Sequence, residues 1–168
     1  MHCNNLAIIG MTSAGKSAVG KILARELNFK FIDIDKILEK QTGFTPKQFI
    51  EKFGEKKFLD AEEGVALALS DLSETVISTG GSVIYSEKAM EYLSKISIII
   101  FLDTPLKLIK SRQPSLNRKG IIGLRNNNFD ELYSERYILY KKYANKIFTP
   151  KEHNNVHEIA LKIKEIIT

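Results

Sequence analysis

Gly10-Met11-Thr12-Ser13-Ala14-Gly15-Lys16-Ser17 fits the spacing G-x-x-x-x-G-K-[ST]. It stands directly after an apolar run, Leu6-Ala7-Ile8-Ile9, and directly before a stretch of helical period over residues 16–27. A strand, a glycine-bearing loop and a helix in that order form a phosphate cradle. The two glycines let successive backbone N–H groups point into one concavity, and the helix starting at Lys16 adds the positive end of its dipole. In such a loop Lys16 is a point charge for the β- and γ-phosphates, and the Ser17 hydroxyl is a ligand for Mg²⁺. The motif therefore implies a nucleoside triphosphate, and leaves the acceptor open.

Outward from this loop the pattern repeats. Apolar runs at 30–32, 75–77, 96–102 and 146–148 alternate with helical stretches at 36–41, 46–72, 87–93, 105–112 and 129–144, and a last helix starts near 155. Nearly continuous apolar strands alternating with helices predict an α/β protein with five parallel strands covered on both faces. At 168 residues the chain fits one domain with a full core, 1–168. Residues 113–128 break the regular pattern. This segment is long for a connection in a compact domain, carries with the preceding Arg112 four basic residues and has Ile121 and Ile122 to dock with, so a lid is expected.

Composition removes other classes. Apolar residues are 43% and charged residues 27%, with 10 Gly and 4 Pro, which excludes collagenous, low-complexity and disordered chains. No apolar run approaches the ~18 residues of a bilayer span, and no basic leader precedes the first apolar stretch, so neither a membrane segment nor a secretory signal is expected. The single Cys3 excludes an internal disulfide and suits the cytoplasm. The net charge of +5 fits either a nucleic-acid surface or a phosphate-collecting site. No aromatic-plus-basic recognition motif accompanies it, so nucleic acid is not expected as a partner.

Two further stretches follow strands. Phe31-Ile32-Asp33-Ile34-Asp35 puts two carboxylates at the carboxyl end of the second strand, where parallel sheets place ligands. At i and i+2 they can point to one side, one to a metal shell and one to a substrate hydroxyl; alternatively Asp35 caps the following helix. Ser78-Thr79-Gly80-Gly81-Ser82 follows the third strand, and its paired glycines permit close approach of an anionic or hydroxylated molecule.

Taken together, these residues resemble the shikimate kinase family, small P-loop kinases related in fold to the nucleoside monophosphate kinases. The similarity runs from Leu6 through the C-terminal helix. GMTSAGKS matches the family's phosphate loop, FIDID its F-x-D-x-D, GEKKF its G-E-x-x-F, STGGS its glycine stretch and ERYILYKKYAN its E-R-x-x-x-Y-x-x-x-A-D. The resemblance implies a three-layer fold with a mobile lid over 113–128, and transfer of the γ-phosphoryl of ATP, with Mg²⁺, to a hydroxyl of a small anionic acceptor. Shikimate, in aromatic amino-acid biosynthesis, is the first expectation, for a monomeric cytoplasmic enzyme.

Carried over by residue, the resemblance puts Gly10, Ser13, Ala14, Gly15, Lys16, Ser17 and Ala18 around the nucleotide, with Arg112 packed against adenine. Ser17 and Asp33 serve the metal, Asp33 through water. Asp35 binds the acceptor hydroxyl and takes its proton, Gly80 and Gly81 contact the acceptor, and Arg136 grips its carboxylate. Arg118 aligns with the arginine that reaches over the transferring phosphoryl, which makes Lys16, Asp35 and Arg118 the catalytic set.

Four positions depart from the family pattern: Leu59 for the arginine after GEKKF, which forms a second clamp on the acceptor carboxylate; Ser82 for a third glycine; residues 117–122 for R-P-L-L; and Asn145 for the Asp of A-D. A guanidinium holds a carboxylate bidentately and Leu cannot. Lys56, Lys57 or Arg125 could replace the clamp, or the pocket could suit another hydroxy acid or amino acid, such as homoserine or gluconate, set against Leu59. A nucleotide-binding module without turnover is the alternative of another class.

Overall fold

The computed structural model describes residues 4–112, 120–124 and 128–167. Five parallel strands form one sheet: β1 Leu6–Ile9, β2 Lys30–Asp33, β3 Thr75–Ser78, β4 Ile98–Leu102 and β5 Lys146–Phe148. Their order is β2-β3-β1-β4-β5. The central strands carry the longest apolar runs because both of their faces are covered. β1 and β3 are buried at every residue, whereas the edge strands β2 and β5 are half-buried or exposed.

The helices are α1 Lys16–Leu27, α2 Ile34–Thr42, α3 Pro46–Phe53, α4 Glu55–Leu67, α5 Glu87–Ile96, α6 Leu106–Lys110, α7 Phe129–Tyr143 and α8 Val156–Ile167. A 3-10 turn, Val83–Tyr85, follows β3. α1 begins and ends where its periodicity does. Val19, Leu23 and Ala24 face the core, and Asn28 closes the helix in the left-handed conformation, its N–H reaching Ala24 and Arg25 carbonyls.

The single helix expected over 46–72 is two helices. Thr45 and Gln48 form a reciprocal cap around Pro46, which starts α3, and the chain leaves the helical path at Gly54 (φ 88°, ψ 162°) before α4 begins. Ile96 and Ser97 belong to the end of α5 and not to β4, because the N–H of Ser97 closes onto the Leu93 carbonyl.

Register decides where the site lies. Asp33 pairs with Ser78 across β2 and β3, and Ser78 pairs with Ile8 across β3 and β1. The carboxyl ends of these three strands are therefore level, and the three loops that leave them open on one edge of the sheet. β1 lies between β3 and β4, so the chain's crossovers run to opposite sides of it, and the crevice at that point is where open α/β sheets bind ligands. Asn5, just before β1, ties the opposite end: its side chain donates to the Leu72 and Ile96 carbonyls and accepts from the Thr75 N–H.

Candidate active site

The loop after β1 wraps the start of α1. Gly10 and Gly15 take φ of 147° and 104°, and Ser13 takes 65°, a left-handed conformation that a non-glycine residue adopts only at some cost in energy. At Gly10 a side chain would also begin 2.7 Å from the Leu102 carbonyl oxygen. No side chain caps α1, so its first N–H groups face the cavity as donors. Lys16 is buried, and its Nζ donates to the Gly10 and Met11 carbonyls at 2.7 and 2.8 Å, which lays the ammonium along the concave side of the loop. Ser17 is one residue into the helix, and its hydroxyl lies 3.3 Å from that of Ser78. The outer side is held by Thr104, whose hydroxyl donates to the Ala14 carbonyl, and by Arg112, whose Nη1 donates to the Ser13 and Ala14 carbonyls at 2.9 and 3.1 Å.

The loops after β2 and β3 complete a cavity of about 610 Å³. Ser13 to Ala18, Asp33, Asp35, Gly80, Gly81, Arg112 and Arg136 all line it. Asp33 is the last residue of β2 and the cap of α2, accepting from the Lys36 N–H at 3.3 Å. Asp35 lies in the first turn of that helix and not at the strand end, and the capping expected of it falls to Asp33. Both carboxylates still reach the cavity. Arg136 comes from α7 and is 1% exposed. Its guanidinium donates to the Tyr85 hydroxyl (3.3 Å), the Gly81 carbonyl (3.1 Å) and the Ile122 carbonyl (2.7 Å), all neutral acceptors. Tyr140 donates to the same Gly81 carbonyl at 2.6 Å and stacks on Phe101. Thus Gly81 is fixed from α7, and Arg136 brings to the cavity a positive charge with no carboxylate at ion-pair distance among the described residues.

The shikimate kinase family model matches residues 12–168. The chain belongs to the shikimate kinase family. A shikimate kinase of Clostridium botulinum is 34% identical over 164 residues, 98% of this chain and 97% of the relative. The structure of the Acinetobacter baumannii shikimate kinase in complex with shikimate superposes with a TM-score of 0.88 at 29% identity, covering 97% of this chain and 92% of that one. The Aquifex aeolicus shikimate kinase gives 0.81, also at 29% identity, over 97% and 95%. The chain is accordingly a small-molecule kinase of the three-layer P-loop type.

Within that family the departures acquire positions. Leu59 is half-buried against the core and does not line the cavity. Lys56 and Lys57 are exposed and are not among the residues that line the cavity, and Lys57 lies over the Phe53 ring. Ser82 is buried, its hydroxyl donating to Glu62 Oε2 at 2.7 Å. Asn145 joins β4 to the start of β5: its side chain accepts from the Ile99 N–H and its own N–H reaches the Ile99 carbonyl. Arg118 and Arg125 lie outside the described residues, as does most of 113–128. The described part of that segment is docked, with Ile122 4% exposed, Gly120 against Lys47 and Ile50 of α3, and the Gly123 N–H on the Glu55 carboxylate.

Glu62 is the functional-region residue that reading the sequence missed. It sits on the buried face of α4 with Phe58, Val65 and Ala66. A carboxylate at an apolar position of an amphipathic helix was the available signal. Burial pushes its carboxyl up to about 8, helped by the Asp35 charge and opposed by the Ser82 hydrogen bond and the charges of Arg136 and Lys16. Tyr140, fully buried, is also held well above the ordinary tyrosine range by desolvation.

Among the described residues no cluster of three or more His, Cys, Asp or Glu could hold a metal ion. The donors that line the cavity beside the loop include the Ser17 hydroxyl and the Asp33 and Asp35 carboxylates. That set does not cage a cation, and it fits Mg²⁺, which keeps its waters and takes its remaining ligands from phosphates. Among the described residues no helix is long and apolar enough to cross a membrane.

Proposed function

We propose that this chain transfers the γ-phosphoryl of ATP to a hydroxyl of shikimate, as a single domain whose acceptor and nucleotide subsites share one cavity. The observation that supports it is the placement in that cavity of the phosphate loop on one side and of Asp35, Gly80, Gly81 and Arg136 on the other. ATP fits the loop by its phosphates, with the base toward Arg112, Val156 and Ile159, which line the same cavity. Ser17 would hold Mg²⁺ directly and Asp33 through water. The ion would supply positive charge to offset that of the phosphates.

The residues then divide the work. Lys16, swung from its two carbonyls, neutralises charge on the β- and γ-phosphates as the bond between them breaks. Asp35 accepts the hydrogen bond of the acceptor hydroxyl. As that oxygen forms its bond to the γ-phosphorus, the proton passes to the Asp35 carboxylate, and the bridging oxygen leaves with ADP. Arg136 pairs with the acceptor carboxylate, a charge-assisted contact made from a guanidinium already fixed in place by three carbonyl and hydroxyl oxygens. Arg118 completes the set at the transferring phosphoryl.

Leu59 leaves Arg136 as the one guanidinium clamp from the family's pair, which should raise the KM for shikimate and not abolish its use. Wild type and Leu59→Arg, assayed by ADP release with shikimate, homoserine and gluconate, test this. The variant should lower the shikimate KM. Turnover of homoserine or gluconate with none of shikimate would replace the acceptor while keeping the kinase.

A further inference from the structure

Glu62 is 1% exposed, and its Oε1 is, among the described residues, the one buried side-chain oxygen or nitrogen without a hydrogen-bond partner. Oε2 is satisfied by Ser82. Oε1 presses on Gly80: a side chain at Gly80 would begin inside van der Waals contact with it, and 2.8 Å from Asp35 Oδ1. The two carboxyl groups thus meet at one point of the loop that the acceptor is to touch. Among the described residues no cation lies within ion-pair distance of Glu62, and the position one turn earlier on the same face of α4 is Leu59.

A carboxylate removed from water with one oxygen unpaired is costly, while the neutral acid is much less so. Every charged or titratable group facing it bears on that balance. Asp35 from α2 disfavours the anion, Lys16 from α1 and Arg136 from α7 favour it, and Tyr140 from α7 is a neutral phenol. Burial outweighs the two cations, and the carboxyl titrates near 8.

We propose that Glu62 is a positioning residue of the acceptor subsite: carrying a proton, it braces Gly80 and Ser82 and leaves Asp35 as the one anion at the acceptor hydroxyl, and on losing that proton it repels an anionic acceptor. This rests on the assignment of Asp35 and Gly80 to the acceptor. The kinase needs no second base there, and a second negative charge beside Asp35 would oppose both the acceptor carboxylate and the incoming phosphates.

Two measurements test it. The first is the KM for shikimate and for ATP between pH 6 and 9.5 in wild type, Glu62→Gln and Glu62→Ala. In wild type the shikimate KM should rise about tenfold per pH unit above pH 8, as one ionisation that excludes binding requires, with the ATP KM level. The rise should vanish in Glu62→Gln, and Glu62→Gln should rescue most of the KM lost in Glu62→Ala at pH 7. A wild-type shikimate KM that stays level to pH 9.5, or an equal rise in Glu62→Gln, overturns the proposal. The second needs no turnover: in carbon-13 spectra of the ligand-free protein, the side-chain carboxyl signal missing from Glu62→Gln should titrate near pH 8. A midpoint below 6 overturns the proposal whichever acceptor the enzyme uses, whereas failure to phosphorylate shikimate with a midpoint near 8 strikes only the acceptor assignment.

Discussion

Replacing Gly80 by alanine inserts one methyl group where two carboxyl oxygens converge. The new Cβ would overlap Glu62 Oε1, sit 2.8 Å from Asp35 Oδ1 and 3.1 Å from Glu62 Cδ, while real Cβ atoms stay beyond 3.0 Å. Glu62 cannot step aside easily, since it is buried and Ser82 holds its other oxygen. Overpacking of this kind costs about 1–3 kcal/mol of stability. The larger effect falls on catalysis. Asp35 and the Gly80 backbone must separate by something on the order of an ångström, and a misplacement of that size at a reacting centre costs on the order of a hundredfold in kcat. The assay is kcat with saturating ATP and shikimate, together with Tm, for wild type, Gly80→Ala, Glu62→Ala and the double variant. Removing Glu62 opens room for the methyl, so the double variant should recover stability relative to the sum of the singles, with a coupling of about 0.5–3 kcal/mol. Wild-type kcat and Tm in Gly80→Ala, or strict additivity in the cycle, would refute the close packing of Gly80 against the two carboxyls.

Four further outcomes are expected. Lys16→Met should keep the fold and lose at least a hundredfold in kcat, because the ammonium serves the phosphates; retention of more than about a tenth of wild-type turnover contradicts this. Asp35→Asn should lower kcat by about 10²–10⁴ with little change in the KM for ATP, and a change confined to ATP affinity would exchange the roles of Asp33 and Asp35. Arg136→Gln should weaken acceptor binding by about 1.5–3 kcal/mol, ten- to a hundredfold in the KM for shikimate with the KM for ATP unaffected, as for loss of a charge-assisted pair. Finally, the Glu62 carboxyl titrates higher in the folded chain, near 8, than its ordinary value of 4.5, so folded protein binds the extra proton and stability falls as pH rises from about 4.5 to 8. Thermal scans should therefore show Glu62→Gln gaining on wild type across pH 5–8, and a gap independent of pH would count against the raised titration.

Much of this molecule can be read from its residues, and the limits have physical causes. The loop between β1 and α1 is legible because its glycines, its lysine and the apolar run before it each meet a separate local requirement, and the α1 boundaries follow from period alone. The central strands follow from runs too apolar to face water, and the edge strands β2 and β5 from their alternation with helices. The break at Gly54 was hidden because both flanking helices keep apolar residues at helical spacing. Asp35 reads as a strand-end residue, yet α2 starts one residue after β2 ends, with Asp33 serving as both strand end and cap. Glu62 is not legible in the sequence because its place depends on α4 turning it toward Gly80, a juxtaposition of residues far apart in the chain. Leu59 reads either as a lost clamp or as an apolar wall for a different acceptor, and which of the two holds depends on packing: it rests against the core and does not line the cavity.

The central claim is that phosphoryl transfer occurs between the phosphate loop and an acceptor held by Asp35, Gly80 and Arg136. Mass spectrometry of the products from purified protein, ATP, Mg²⁺ and millimolar shikimate tests it most directly. A singly phosphorylated shikimate should form in equal amount with ADP, and both should be lost in Asp35→Asn. ADP released without phosphorylated shikimate, or no ADP at all while homoserine or gluconate is phosphorylated under the same conditions, would contradict it.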